Sequence, residues 1–233
     1  MLQVRRSQDR GYFDHGWLKT FHTFSFGHYY DPNQRGFRNL RVINEDWVAP
    51  GKGFGEHGHD NMEIVTVVLE GQLQHRDSLG SGEILTPVDV QRMSAGSGIR
   101  HSEFNPSSDQ PVHLYQIWLH PREENLEPSY EQQAFAADER KNKWQTLVSP
   151  DRREGSLAWQ TDAVLLRTEL STGQELTHSF AEGRSGWLQV VKGTLDLGDE
   201  TLVIEGDGVA ITDETLLRLV ATEHSDVLLF DLA

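Results

Sequence analysis

Apolar positions along the chain recur in short runs with the period of strands. Residues 40–44, 64–69, 112–119, 164–170, 187–191 and 227–232 are rich in β-branched or aromatic side chains, and clusters of Gly, Pro, Asn, Asp and Ser punctuate them. Many short strands with frequent turns predict an all-β fold of sandwiches or small barrels rather than βαβ units. Helical character is confined mainly to 128–143, a polar stretch with Ala-rich helix formers that separates two strand-rich halves. The linker is therefore placed near 122–145.

The halves resemble each other. Residues 68–73 (VLEGQL) and 190–195 (VVKGTL) both lead from an apolar run through a charged residue and a glycine into a second strand. Each half then ends on an apolar run. An ancestral duplication explains the match, and it predicts two related domains, 1–135 and 136–233. A length of 233 residues suits that division.

Composition narrows the chemistry. Cysteine is absent, which excludes thiol catalysis, disulfide scaffolding and Cys-ligated metals. The net charge is −15, and it disfavours direct nucleic-acid binding. That charge is uneven. Residues 1–50 carry seven basic and five acidic side chains, whereas 193–233 carry ten acidic ones against Arg218. No apolar run approaches the ~20 residues of a membrane span. The start, MLQVRRSQDR, has charge without an apolar stretch behind it. A cytoplasmic protein without a membrane partner is expected.

Among eleven histidines, two segments stand out. GKGFGEHGH places His57 and His59 at i and i+2, and GSGIRHSEFN places His101 and Glu103 at i and i+2. On a strand such pairs point to one face. If the two strands face each other across a barrel, three imidazoles and a carboxylate converge. That donor set suits Fe, Mn, Co, Ni, Cu or Zn. A closed tetrahedral site would make the metal structural, whereas an octahedral one keeps two positions open. Glu63 lies four residues after His59, and strand parity would put it on the same face unless Asp60-Asn61 turns the chain. It is a candidate alternative ligand or an acceptor behind an imidazole.

These residues carry a family resemblance. The stretch from Gly51 through His57, His59 and Glu63 to Gly71 is similar to the first cupin motif, and Gly98, His101 and Asn105 are similar to the second. More specifically, the chain resembles a pirin-type bicupin, close to bacterial pirin-like quercetinases. The matching stretches are HTFSFGHYYDP at 22–32, 54–71, MSAGSGIRHSEFNP at 93–106 and YQIW at 115–118. The resemblance implies two cupin β-barrels packed face to face, with metal only in the N-terminal one. It implies His57, His59, His101 and Glu103 as ligands to one divalent transition metal. Fe(II) is favoured, with Zn, Ni, Mn, Co or Cu as alternatives, and Glu63 moves behind the ligands. In the C-terminal half His178 and His224 are isolated.

The implied activity is a metal-dependent dioxygenase that cleaves flavonols such as quercetin with O2, with Glu103 as ligand and general base. Phe24, Phe26, Tyr29, Phe54, Met62 and Phe104 are candidate apolar walls for a flat substrate. The alternative is a non-enzymatic, metal- or redox-responsive regulator that binds a protein partner. A monomer is expected, because duplicated halves could satisfy each other's sheet faces.

Overall fold

The period-two runs form strands, and the strands sort into two units. In the computed structural model, which describes residues 1–233, one unit comprises Gly11–Phe135 with Leu157–Thr161. The other comprises Met1–Arg10, Ala136–Ser156 and Asp162–Ala233. The main division falls at Phe135/Ala136. Two short segments depart from the expected boundaries. The first strand, β1 (Leu2–Arg5), pairs with Gly208–Ile211 and so joins the C-terminal unit. Thr161 is tied into the N-terminal unit, accepting a hydrogen bond from Asn39 Nδ2 and donating one to the His120 carbonyl, both at 2.7 Å.

The N-terminal unit contains β2 (Gly11–Asp14), β3 (Leu18–His22), β4 (Leu40–Val48), β5 (Gly53–His59), β6 (Glu63–Glu70), β7 (Leu73–Asp77), β8 (Gly82–Leu85), β9 (Asp89–Ser94), β10 (Ile99–Phe104), β11 (Val112–Leu119) and β12 (Ser129–Ala134). One sheet runs β12-β9-β6-β11-β4-β3-β2, and a smaller one runs β5-β10-β7-β8. Leu18, Val48, Val68, Leu73, Leu85, Val112 and Leu114 form a buried apolar cluster. The helix expected over 128–143 is absent. Its first part is β12, paired antiparallel with β9, and its second holds a short 3-10 turn, Ala137–Arg140. Pairing overrides helix propensity here: β12 covers what would otherwise be the open edge of β9, and Tyr130 packs onto the cluster of Ile64, Met93, Ala95 and Ile99.

The chain continues with β13 (Gln145–Ser149), β14 (Leu157–Ala158, in the segment that joins the N-terminal unit), β15 (Ala163–Leu170), β16 (Glu175–Ser179), β17 (Ser185–Lys192), β18 (Thr194–Asp196), β19 (Leu202–Ile204), β20 (Gly208–Ile211), β21 (Leu216–Ala221) and β22 (Ser225–Leu232). The C-terminal unit repeats the same wiring. A larger sheet includes the run β1-β20-β17-β22-β15-β13, and a smaller one runs β16-β21-β18-β19.

The repeat seen in the sequence marks an equivalent turn in each unit. Gly71 and Gly193 both have positive φ, at +78° and +84°. A Cβ would lie 2.5 Å from the Pro111 carbonyl oxygen in the first case and 2.4 Å from that of His224 in the second. Both the backbone conformation and the close approach demand glycine. Gly71→Val is expected to cost at least about 2 kcal/mol of stability, read as a lowered denaturant midpoint. An unchanged midpoint would contradict this account of the turn.

Candidate metal centre and cavity

The histidine pairs sit on neighbouring strands of the smaller sheet, not on strands opposed across the barrel. β5 and β10 are hydrogen-bonded partners whose register sets His101 against His57 and Ile99 against His59. The register slips between His101 and Glu103, so Glu103 pairs with Phe54. Gly53 permits the close approach there, since a Cβ would lie 2.1 Å from the Glu103 carbonyl oxygen.

Strand parity then brings the imidazoles together. His101 Nε2 lies 3.1 Å from His57 Nε2 and 3.0 Å from His59 Nε2. Burial lowers the His101 imidazole to about 2 and that of His59 to about 4, and the neighbouring histidines push the same way. Both rings are therefore neutral at pH 7. The His57 Nδ1–H donates to the Gly55 carbonyl at 2.8 Å, which turns its Nε2 toward the cluster. Three imidazole nitrogens within this reach of one another could hold a cation. Two nitrogens about 2.1 Å from one metal ion are about 3.0 Å apart at a right angle and about 3.4 Å apart at the tetrahedral angle. The two observed spacings, 3.1 and 3.0 Å, suit nitrogens that would share one ion.

Glu103 is buried beside this group. Its donor atoms, with those of His101 and His75, lie within 4.8 Å of one another, and the same limit groups His57, His59 and His101. Gln116 Nε2 donates to Glu103 Oε2 at 2.7 Å, while Oε1 has no partner. Burial pushes the Glu103 carboxyl up to about 7, and the nearby Asp46 adds to the shift.

Between His59 and Glu63 the chain turns. Asn61 adopts a positive φ of 49°, so the turn breaks the strand parity that would have aligned Glu63 with His59. Its carboxylate accepts from Ser94 Oγ at 2.8 Å and from the Gln160 backbone, and it belongs to neither group of converging donors.

The imidazoles and Glu103 open onto a cavity of about 460 Å³. Phe26 and Phe54 line it, as do Trp17, Ile64 and Trp118. Trp118 meets His59 and Phe26 edge-on, with ring centroids 4.8 and 5.2 Å apart, and Trp17 meets Phe54 in the same way at 5.3 Å. The other four proposed wall residues lie elsewhere. Phe24 is in the core. The Tyr29 ring packs over Gly11. Met62 packs against the Ile64 and Met93 cluster. Phe104 follows Glu103 on β10, so it points the opposite way and is exposed.

Sequence reading missed the polar side of the cavity, formed by Asn44, Asp46 and Gln116. A signal was available: Asn44 and Asp46 sit at i and i+2 on a strand face otherwise made of Leu40, Val42 and Val48, which is costly unless the face has a use. Asn44 Oδ1 and Asp46 Oδ1 are buried without partners, and burial raises the Asp46 carboxyl to about 7.

Two cupin-type barrels, one with clustered imidazoles at an apolar cavity, define a bicupin. Comparison with known proteins narrows this. The Pirin family model matches residues 3–119, and the model for the quercetinase C-terminal cupin domain matches 146–232. The chain belongs to the pirin family. It is 48% identical over 232 residues to the quercetin 2,3-dioxygenase of Escherichia coli O157:H7, covering 100% of this chain and 99% of that one. The crystal structure of the E. coli pirin YhhW in complex with nickel(II) superposes with a TM-score of 0.95 at 47% identity, covering 100% of this chain and 99% of that one. A quercetin 2,3-dioxygenase from Acinetobacter baumannii shares the fold, with a TM-score of 0.79 at 20% identity over 98% of this chain and 85% of that one.

Proposed function

We propose that this pirin is a metal-dependent dioxygenase that cleaves flavonols such as quercetin with O2, releasing carbon monoxide and a depside. The observation that carries the reading is the convergence of three imidazoles on one wall of an aromatic-lined cavity. Kinship with proteins named quercetin 2,3-dioxygenase supports it. His57, His59, His101 and Glu103 would hold one divalent ion, with Fe(II) favoured. When bound, such an ion supplies a Lewis acid for the flavonol oxygens and a redox partner for O2.

The chain's own residues do the rest. Trp17, Phe26, Phe54, Ile64 and Trp118 exclude water and hold a flat ring system. Glu103 takes the proton of the flavonol 3-hydroxyl on its unpartnered Oε1, while Gln116 fixes the other oxygen.

Metal-loaded protein should bleach quercetin, consume O2 and release CO. Absence of all three with each of Fe, Mn, Co, Ni and Cu would overturn the reading. Metal uptake should also displace the Glu103 proton. Because that carboxyl titrates near 7 while His59 and His101 are already neutral, affinity should climb about tenfold per pH unit from 5 to 7 and flatten above. Calorimetry of Ni(II) binding in buffers of different ionisation enthalpy checks this. Proton release that persists unchanged at pH 8 would contradict it.

A further inference from the structure

His75 and Asp77 lie behind the imidazole cluster, on β7, and neither lines the cavity. The β7–β10 register sets Asp77 against His101 and His75 against Glu103. Both side chains are fully buried. The contacts run in series. Asp77 Oδ1 accepts the backbone N–H groups of Leu79 and Ser81 at 2.9 and 3.0 Å. Asp77 Oδ2 lies 3.1 Å from His75 Nε2, and His75 Nδ1 lies 3.5 Å from His101 Nδ1. Tyr130 stacks on the His75 ring, centroids 4.6 Å apart, and holds its plane.

Donor and acceptor counting fixes every proton in this series. An ionised carboxylate only accepts, so His75 carries its proton on Nε2. A ligating imidazole carries its one proton on the nitrogen turned away from the ion, which for His101 is Nδ1, facing His75. His75 Nδ1 is then an acceptor, and His101 must present Nδ1–H to it. The His101 Nε2 lone pair is left facing His57 and His59.

We infer that Asp77 and His75 are positioning residues that lock His101 in the tautomer needed to bind a metal ion through Nε2. The inference rests on the reading of the imidazole cluster as a metal site. The second barrel argues that the fold itself does not require the pair. The corresponding small sheet there is β16-β21-β18-β19, and its inward residues on β18 and β21 are Leu195, Leu217, Leu219 and Ala221, all buried and apolar. Leu197, just past β18, joins the same cluster. The fold closes with hydrocarbon at the positions of His75, His101 and Glu103. The polar series occurs in the barrel with clustered imidazoles, and an outer partner that fixes a ligating imidazole is a general feature of metal sites.

Asp77→Asn provides the sharpest test. Oδ1 is engaged by two backbone N–H groups, so the asparagine must turn its NH2 toward His75 Nε2. His75 then carries its proton on Nδ1, and His101 is driven to the Nε2–H tautomer. In metal-free protein, long-range 1H–15N correlation spectra should report Nδ1–H for His101 in the wild type and Nε2–H in Asp77→Asn. Ni(II) affinity, measured by chelator competition, should fall about 10–100-fold in Asp77→Asn and in His75→Leu. His75→Leu places the residue type of the second barrel at that position, and its thermal midpoint reports whether the fold survives. An unchanged His101 tautomer and unchanged Ni(II) affinity in Asp77→Asn would overturn the inference. Failure of the wild type to bind Ni(II), Fe(II) or Co(II) would overturn the metal reading instead. The tautomer spectra would still decide whether Asp77 and His75 fix His101.

Discussion

His101→Ala should empty the metal centre and lower quercetin turnover by about 10³-fold or more, the loss expected when several kcal/mol of Lewis-acid stabilisation disappears. His101 is the residue at which the cluster meets. Its Nε2 faces both His57 and His59, and its Nδ1 faces His75. Removing it takes away a proposed ligand and leaves the Asp77–His75 series with nothing to orient. The affinity loss should therefore exceed the ~10–100-fold cost of disturbing an outer partner. His113→Ala is the matched control. That ring stacks on Trp47 at 4.0 Å and bonds Glu45 Oε1 at 2.9 Å, and it is not among the residues lining the cavity. It should keep metal and turnover. Metal analysis and quercetin consumption on the same preparations read both variants. Wild-type metal content in His101→Ala would remove the site from the protein.

Strand period made the barrels legible. The short apolar runs that marked 64–69 and 112–119 as strands are buried on both faces, with Ile64, Val65, Val67, Val68, Val112 and Leu114 all in the core. Pairs at i and i+2 pointed to His57, His59 and His101, whose ring nitrogens do converge, and to Glu103, which lies with His101 and His75, because side-chain direction in a strand is local. Which strands pair is not local. The sequence could not say that β5 and β10 are neighbours, nor that β7 flanks β10 on its other side, and so His75 stayed hidden. Its H-x-D spacing is the same i, i+2 pattern, but without a register nothing ties it to the other pairs. The helix expected over 128–143 failed for the same kind of reason: the free edge of β9 captured residues whose own preference was helical. Wall residues were the least legible. Aromatic identity says nothing about direction, so Phe54 faces the cavity while Phe104, equally aromatic, faces out.

Glu103→Gln should separate holding the metal from using it. Three imidazoles remain, so metal should still bind, with a smaller loss than in His101→Ala. Glutamine cannot take the flavonol proton, so turnover should fall about 10²–10⁴-fold. Two further readouts follow from the same carboxyl. Its folded pKa of about 7 lies above the ordinary 4.5, so the metal-free fold binds a proton that the unfolded chain does not between those values. Stability from this group therefore falls as pH rises from 4.5 to 7, by up to about 3 kcal/mol once it ionises. Metal-free Glu103→Gln should be more stable than wild type at pH 8 and indistinguishable from it near pH 4.5, as urea midpoints will read. The rise of Ni(II) affinity between pH 5 and 7 should flatten in the variant, because the competing proton is gone. A variant that keeps wild-type turnover would exclude Glu103 as the base. A variant that loses turnover but keeps the pH slope would mean that the displaced proton sits elsewhere, and Asp46, raised to a similar value at the same cavity, is the next group to replace.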